Sequence, residues 1–296
     1  MAHEIARPDR RSAPAVSILA GLRRAPVHVA VILIAVVWLL PTIGLLVSSF
    51  RPANLVSTTG WWTAFQLPLT FTLDNYEKVL TTNNMAQSFA NSVVVTIPAT
   101  VMPVMIAAFA AYAFAWMSFP GRDILFFTLV GLLIVPLQMT LIPVLRFYND
   151  LSLSGTFPAI WLAHTGYGLP FAIYLLRNFF SSLPRDMMES AEIDGASPLV
   201  VFFRLVLPTS VPALAALVIF QFLWVWNDLL VALIYLGGQP EVAPMTVTVS
   251  NLVNSLGQNW QLLTAAAFIS MILPLVVFFT LQRYFVDGIM AGSVKG

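Results

Sequence analysis

Asp228 is the one clear ionisable residue set inside a long apolar stretch, residues 205–235, and groups able to hold a ligand precede it. On a helix turning 100° per residue, Phe220, Gln221, Trp224, Asn227 and Asp228 fall within an arc of about 120°. That face offers two aromatic surfaces, an amide pair and a carboxylate. Such a set suits an uncharged, hydroxyl-rich ligand, whose C–H faces lie on the rings while Gln221, Asn227 and Asp228 exchange hydrogen bonds with its hydroxyls. At 1.5 Å per residue from Pro208, Asp228 lies about 30 Å along the helix. A carboxylate in mid-membrane costs about 2.5–3.5 kcal/mol on insertion scales, so Asp228 needs a purpose or a partner. The competing reading is that this face packs against another subunit and Asp228 bonds to a neighbouring helix. Gln138, His164, Tyr167 and Trp226 admit the same two readings, with packing the simpler one.

Other chemistry is excluded by what the chain lacks. The histidines, His3, His28 and His164, are scattered and form no H-E-x-x-H spacing. There is no cysteine, hence no thiolate nucleophile and no thiolate metal site. No G-x-x-x-x-G-K-[ST] run occurs, so the chain has no P-loop of its own with which to bind ATP. A net charge of +1 gives no case for nucleic-acid binding. If the protein moves a solute uphill, the energy comes from another subunit or an ion gradient. An ion-coupled carrier usually shows several intramembrane ionisable groups, and here Asp228 stands alone. A secondary carrier, a channel subunit and a membrane-embedded enzyme are the alternatives to a subunit driven from outside.

The elements that must position these residues are spanning helices. Hydrophobic residues make up 59% of the 296-residue chain and charged ones 9%, against roughly 25% charged in a soluble domain. Stretches free of charge and long enough to cross a bilayer are expected at about 25–50, 92–117, 124–145, 157–178, 208–236 and 263–284. The architecture is therefore all-α and polytopic, with an N-terminal segment 1–24 and a transmembrane domain 25–296. The 25–50 run follows several arginines, yet its 26 residues exceed the 7–15 of a signal-peptide core. It reads as a retained first span. Prolines inside the spans, such as Pro98, Pro136, Pro170 and Pro274, suit a cavity-lining bundle that changes shape.

Orientation follows from basic residues. With the N-terminus cytoplasmic, eleven lysines and arginines lie on that side and three, Arg51, Lys78 and Arg146, on the other. Both termini, the tail 285–296 and the loop 182–208 then face the cytoplasm. The outer connection 51–87 is long, and Asp74 with Glu77 is placed to cap a short helix 75–80 within it.

The loop 182–208 is the most charged segment after the N-terminus. Ser182 is expected to cap a helix opened by Pro184. Leu183, Met187 and Ala191 share one face of that helix, with Arg185, Glu189 and Glu192 on another. Gly195 is placed to end it in the left-handed conformation, and Ser197-Pro198 starts a second short helix. The result is a bent pair of amphipathic helices at a membrane surface, offering a firm knob to another protein.

The residues Glu189-Ser190-Ala191, Asp194-Gly195-Ala196, Leu205 and Leu207-Pro208 keep the spacing of the EAA loop, E-A-A-x3-G-x9-I-x-L-P. In these positions the chain resembles the permease subunits of ABC importers, with Ser190 and Leu205 as mild departures. Phe119-Pro120-Gly121-Arg122 and Leu169-Pro170-Phe171 resemble stretches of the sugar-importing members. The tail, from Gln282-Arg283 through Ala291-Gly292-Ser293-Val294-Lys295-Gly296, is similar to that of the maltose-type branch.

The resemblance implies a type I permease fold with six transmembrane helices in the bacterial cytoplasmic (inner) membrane. It implies a coupling role for Glu189, Ser190, Ala191, Asp194, Gly195 and Ala196 against a cytoplasmic ATPase, with Ala291, Gly292, Val294, Lys295 and Gly296 as a second contact. The partners it implies are a second, different permease subunit, two copies of the ATPase, and an extracytoplasmic sugar-binding protein, all around a chain embedded in lipid. The permease itself would bind no cofactor, Mg-ATP being used by the ATPase. The solute would be a di- or oligosaccharide such as an α-glucoside, passing Gln221, Trp224, Asn227 and Asp228.

Overall fold

Six apolar segments dominate a computed structural model that describes residues 13–81, 84–252 and 259–293, with side chains for 26–81, 84–252 and 259–283. Among these residues there is no β-strand. Four helices are long and apolar enough to span by themselves: span 1 ends the helix Ala13–Ser49, span 2 is Met85–Trp116, span 4 is Phe157–Phe180, and span 6 begins the helix Trp260–Ser293. Spans 3 and 5 are each a bent pair of helices, which brings the count to six.

The stretch expected as one helix at 124–145 is in fact Arg122–Leu132 and Leu137–Asp150, inclined at 100°. Pro136 stands at the corner with ψ 128° and has no N–H to give to a preceding carbonyl. The residues just before it, Leu133, Ile134 and Val135, donate to carbonyls three positions back. The helix tightens and stops. Pro98 and Pro103, by contrast, sit inside span 2 without ending it. Span 5 departs from expectation as well. After a 76° bend at Ser210, its helix Val211–Trp226 stops short of Asn227, and the chain turns before Leu230–Leu236.

Spans 2 and 4 form the centre of the bundle. Their contact is built on small residues, Ala99, Ala107, Ala108 and Ala111 facing Ala159, Ala163 and Ala172, all buried. Without bulky side chains the two backbones approach closely, which is how helices gain packing where lipid removes the hydrophobic drive. One core cluster joins Ala107, Leu176, Phe180, Met188, Phe202 and Leu217 next to the 182–208 loop. A second gathers Ala99, Tyr148, Ile160 and Tyr235 further along. A third brings Val79, Met85, Trp226, Met245 and Ala265 together under span 6.

Polar bonds fasten the remaining pieces. Asn91 donates to the carbonyls of Glu241 (3.0 Å) and Ala243 (3.1 Å), and Ser92 accepts from the Met245 amide at 2.8 Å. Trp226 Nε1 donates to the Ser270 carbonyl at 3.0 Å, tying span 5 to span 6. In the 51–81 connection the helix runs Asp74–Thr81 and starts one residue earlier than expected. Asp74 is not its cap: the Asp74 amide donates to Thr72 Oγ1 at 3.1 Å.

Candidate functional site

Two places stand out, the loop between spans 4 and 5 and the break within span 5. In the loop, the helix Arg185–Ile193 buries Met188 and Ala191 against the first core cluster, with Leu183 and Met187 half-buried beside them. Arg185, Glu189 and Glu192 are exposed on the far face. Ser182 does not cap this helix. Its hydroxyl donates to the Phe179 carbonyl at 2.7 Å, closing the end of span 4 instead, and Pro184 precedes the first helical residue without a side-chain cap. A serine after a helix has two uses, and here the nearby orphan carbonyls of span 4 win over the more distant amides.

Gly195 has φ +72°, in the left-handed region. The Ala196 amide donates to the Ala191 carbonyl and the Gly195 amide to the Glu192 carbonyl, both at 3.0 Å. This paired return closes the helix C-terminus as a Schellman motif. Ser197 Oγ then accepts from the Val200 amide at 3.4 Å, and Pro198–Val201 begins the next turn of helix. A five-residue π-helical segment, Phe202–Val206, follows. The outer surface of this knob is not only acidic. Ile193 is 86% exposed, and Leu199 and Phe203 are exposed with it. These apolar side chains stand out beside the exposed Glu189, Glu192 and Asp194. Of these, Ile193 went unmarked in the sequence, because its exposure depends on the direction the helix takes after Ser182.

Of the tail residues, Ala291 and Gly292 lie in the final helix, where only the backbone is described, and Val294, Lys295 and Gly296 lie outside the described residues.

At the break of span 5 the helix ends at Trp226, so Phe220, Gln221 and Trp224 keep their helical places while Asn227 and Asp228 leave the expected arc. Asn227 folds back to donate to the Leu223 carbonyl at 2.8 Å. Asp228 opens the following helix: its Oδ1 accepts from the Val231 amide (3.2 Å) and its Oδ2 from the Ala232 amide (2.9 Å). A carboxylate there meets the orphan donors and the positive end of the helix dipole. The Asp228 carbonyl in turn accepts from Thr246 Oγ1 at 2.6 Å. So the cost of this half-buried carboxylate is offset by its own backbone, a role that spacing alone did not reveal.

Gln221 is buried, and its Nε2 donates to the Ala99 carbonyl at 3.1 Å. It also fills the space beside Gly168, where an added Cβ would come within 2.7 Å of its Oε1. Gln221 thus bridges spans 5, 2 and 4. Trp224 and Phe220, on the same helix, are exposed.

One further residue joins the set. His164 of span 4 is fully buried, edge-on to the Trp224 ring with centroids 5.1 Å apart, and its Nε2 lies 3.6 Å from Asp228 Oδ2. Two cavities flank the break. One, of about 410 Å³, is lined by Trp226, Asn227, Met245, Thr246 and Ser250 among others. The other, of about 430 Å³, lies between the corner of span 3 and span 4, against Thr140, Tyr167 and Trp224. Tyr167 there bonds to Tyr235 (2.7 Å) and accepts from Thr140 (3.0 Å). Among the described residues no three His, Asp or Glu side chains gather as a metal set.

A family model described as "Binding-protein-dependent transport system inner membrane component" matches residues 14–290. The "Osmoprotective compounds uptake permease protein GgtD" of Synechocystis is 59% identical over 276 residues, covering 92% of this chain and 93% of that protein. The "Alpha-glucoside transport system permease protein AglG" of Rhizobium meliloti is 41% identical, covering 93% of this chain and 99% of that one. Among solved structures, a bacterial ABC transporter involved in the import of the acidic polysaccharide alginate superposes with a TM-score of 0.75 at 22% identity, covering 95% of this chain and all of that one. At that identity the likeness concerns the fold.

Proposed function

Because this chain belongs to the binding-protein-dependent transport system inner membrane components, a family of permease subunits and not of enzymes, we propose that it carries a di- or oligosaccharide of the α-glucoside kind across the cytoplasmic membrane. Both termini and the 182–208 loop face the cytoplasm. There the Arg185–Ile193 helix inserts in a cleft of a separate ATPase, two copies of which use Mg-ATP, and the tail 291–296 adds a second contact. A different permease subunit completes the path, and an extracytoplasmic binding protein delivers the sugar. Closure of the ATPases moves the knob, and the rigid Gly195 turn passes that motion through Phe202–Val206 into span 5.

The observation that carries the substrate reading is the His164 imidazole, without a hydrogen bond among the described residues, facing Asp228 at the break of span 5. Trp224 offers its ring to a sugar face, while Asn227, Asp228 and His164 meet hydroxyls directly or through water. Gln221 holds the three spans in register around them. The α-glucoside class is favoured by the 41% identity to AglG over nearly its whole length. The 59% identity to GgtD favours a second reading, an osmoprotective compound as the solute.

The test is purification of the intact assembly from the native membrane, with its subunits identified, followed by uptake in proteoliposomes. Copurification of a second permease, an ATPase and a binding protein is expected, with ATP-dependent uptake of α-glucosides. Preference for osmoprotective solutes over every glucoside favours the second reading. A transport-competent homodimer of this chain overturns the heteromeric assembly.

A further inference from the structure

The run 52–73 holds 22 residues without a single Asp, Glu, Lys or Arg, although it lies between spans. A connection in water ordinarily carries charge. This one is nonetheless firmly built. Arg51 is buried, and its guanidinium donates to the Gly60 carbonyl (3.1 Å), Thr63 Oγ1 (3.1 Å), Thr59 Oγ1 (2.5 Å) and, at 3.4 Å, the Leu55 and Thr59 carbonyls. The far end is pinned where it began: the Thr72 amide donates to the Phe50 carbonyl at 2.7 Å, and Asn75 Nδ2 to the Ser49 and Arg51 carbonyls. The loop leaves the end of span 1 and returns to it.

Its direction is given by Trp61, whose indole packs on Gly44 of span 1 so closely that a Cβ there would come within 2.8 Å of Nε1. Gly44 is five residues before the helix end at Ser49, which is about 7.5 Å back along the axis. The loop therefore folds down beside the span. From this held frame Trp62, Phe65, Leu67, Leu69, Phe71 and Leu73 all point outward, Leu67 with 88% of its surface exposed. The adjoining wall of span 1 is equally bare, only 6% of its most apolar stretch being buried.

We propose that residues 61–73 are an interfacial anchor, seated in the membrane leaflet opposite the 182–208 loop, with acyl chains and headgroups as their partner. Interfacial elements bury an apolar face about 5–10 Å below the headgroups, and Trp61 meets span 1 a comparable distance, about 7.5 Å, back from its helix end. Tryptophan favours that boundary. A soluble partner would be expected to meet some complementary charge, and the strip has none. The anchor fixes the outer end of span 1 and the Asp74–Thr81 helix in depth, independently of which solute is carried.

The cysteine-free chain makes the test direct. Nitroxide labels at Leu67→Cys and Leu69→Cys, in the complete assembly in phosphatidylethanolamine/phosphatidylglycerol vesicles, are read by collision with oxygen and with a water-soluble nickel chelate. Glu77→Cys, on the exposed side of the Asp74–Thr81 helix, is the aqueous reference. The oxygen-to-nickel ratio at both leucines is expected to exceed the reference several-fold. A ratio equal to that of Glu77 places the strip in water and overturns the proposal. Immobilised spectra shielded from both reagents also overturn it, since protein then covers the strip.

Discussion

The Nε2 atom of His164 lies 3.6 Å from Oδ2 of Asp228, and neither imidazole nitrogen has a hydrogen bond among the described residues. A buried polar group left without a hydrogen bond costs about 1–3 kcal/mol, and the Asp228 carboxylate faces this ring at ion-pair distance. Asp228 is committed to the Val231 and Ala232 amides, which leaves its Oδ2 only a long approach to the histidine.

That division of labour separates two variants. Asparagine caps a helix about as well as aspartate, so Asp228→Asn keeps the Leu230–Leu236 start while removing the charge. Asp228→Ala removes both, with about 1 kcal/mol of capping lost. Uptake by Asp228→Asn and by His164→Leu is expected to fall about ten-fold or more with assembly intact, the equivalent of about 1.4 kcal/mol. Asp228→Ala is expected to melt at a lower temperature as well. If Asp228→Asn and His164→Leu both transport every tested sugar like the wild type, the proposed path is wrong.

Gly195 has open space around its would-be Cβ, so its conformation alone restricts the position. Left-handed backbone costs an L-residue about 1–2 kcal/mol, less for Asp and Asn. Gly195→Asp is therefore expected to insert into the membrane and fold, while adding an acid beside Glu192 and Asp194 on the proposed docking surface. Transport is expected to be lost and the ATPase released or uncoupled. Normal uptake at equal expression would sink the coupling role.

Arg51 offers a stability test. Arg51→Met removes the guanidinium from the Thr59 carbonyl and the Thr59 and Thr63 hydroxyls, and leaves the Gly60 carbonyl to the Thr63 amide and hydroxyl alone. The thermal midpoint in detergent is expected to drop, and Arg51→Lys to restore little of it, because an ammonium cannot reproduce the planar fork that reaches both Thr59 and Thr63. Full rescue by lysine would contradict this account of the loop.

The orientation is checked with single cysteines in a background that has none. Asp123→Cys, between spans 2 and 3, and Glu241→Cys, after Leu236, should react with an impermeant maleimide from opposite faces of the membrane. Labelling of both from the same face would break the six-span path, and labelling of Asp123→Cys from the outer face with Glu241→Cys from the cytoplasmic face would reverse it.

What the sequence determined by itself was local or additive. Apolar length sets how many times the chain crosses, since each span closes its own backbone hydrogen bonds. The knob at 182–208 was legible for the same reason: the left-handed Gly195 and the Ser197 cap depend on neighbours a few residues away. What only the tertiary structure decided was direction and pairing. Pro136 ends a helix while Pro98 and Pro103 do not, because the outcome turns on whether surrounding groups take up the freed carbonyls. Gln221, placed by periodicity with Trp224, went instead to the Ala99 carbonyl, as Ala99 and Gly168 are small enough to admit it. His164 and Asp228 are 64 positions apart. They meet because small residues let spans 2 and 4 close up and because span 5 breaks after Trp226, and no helical period connects two residues across such a break.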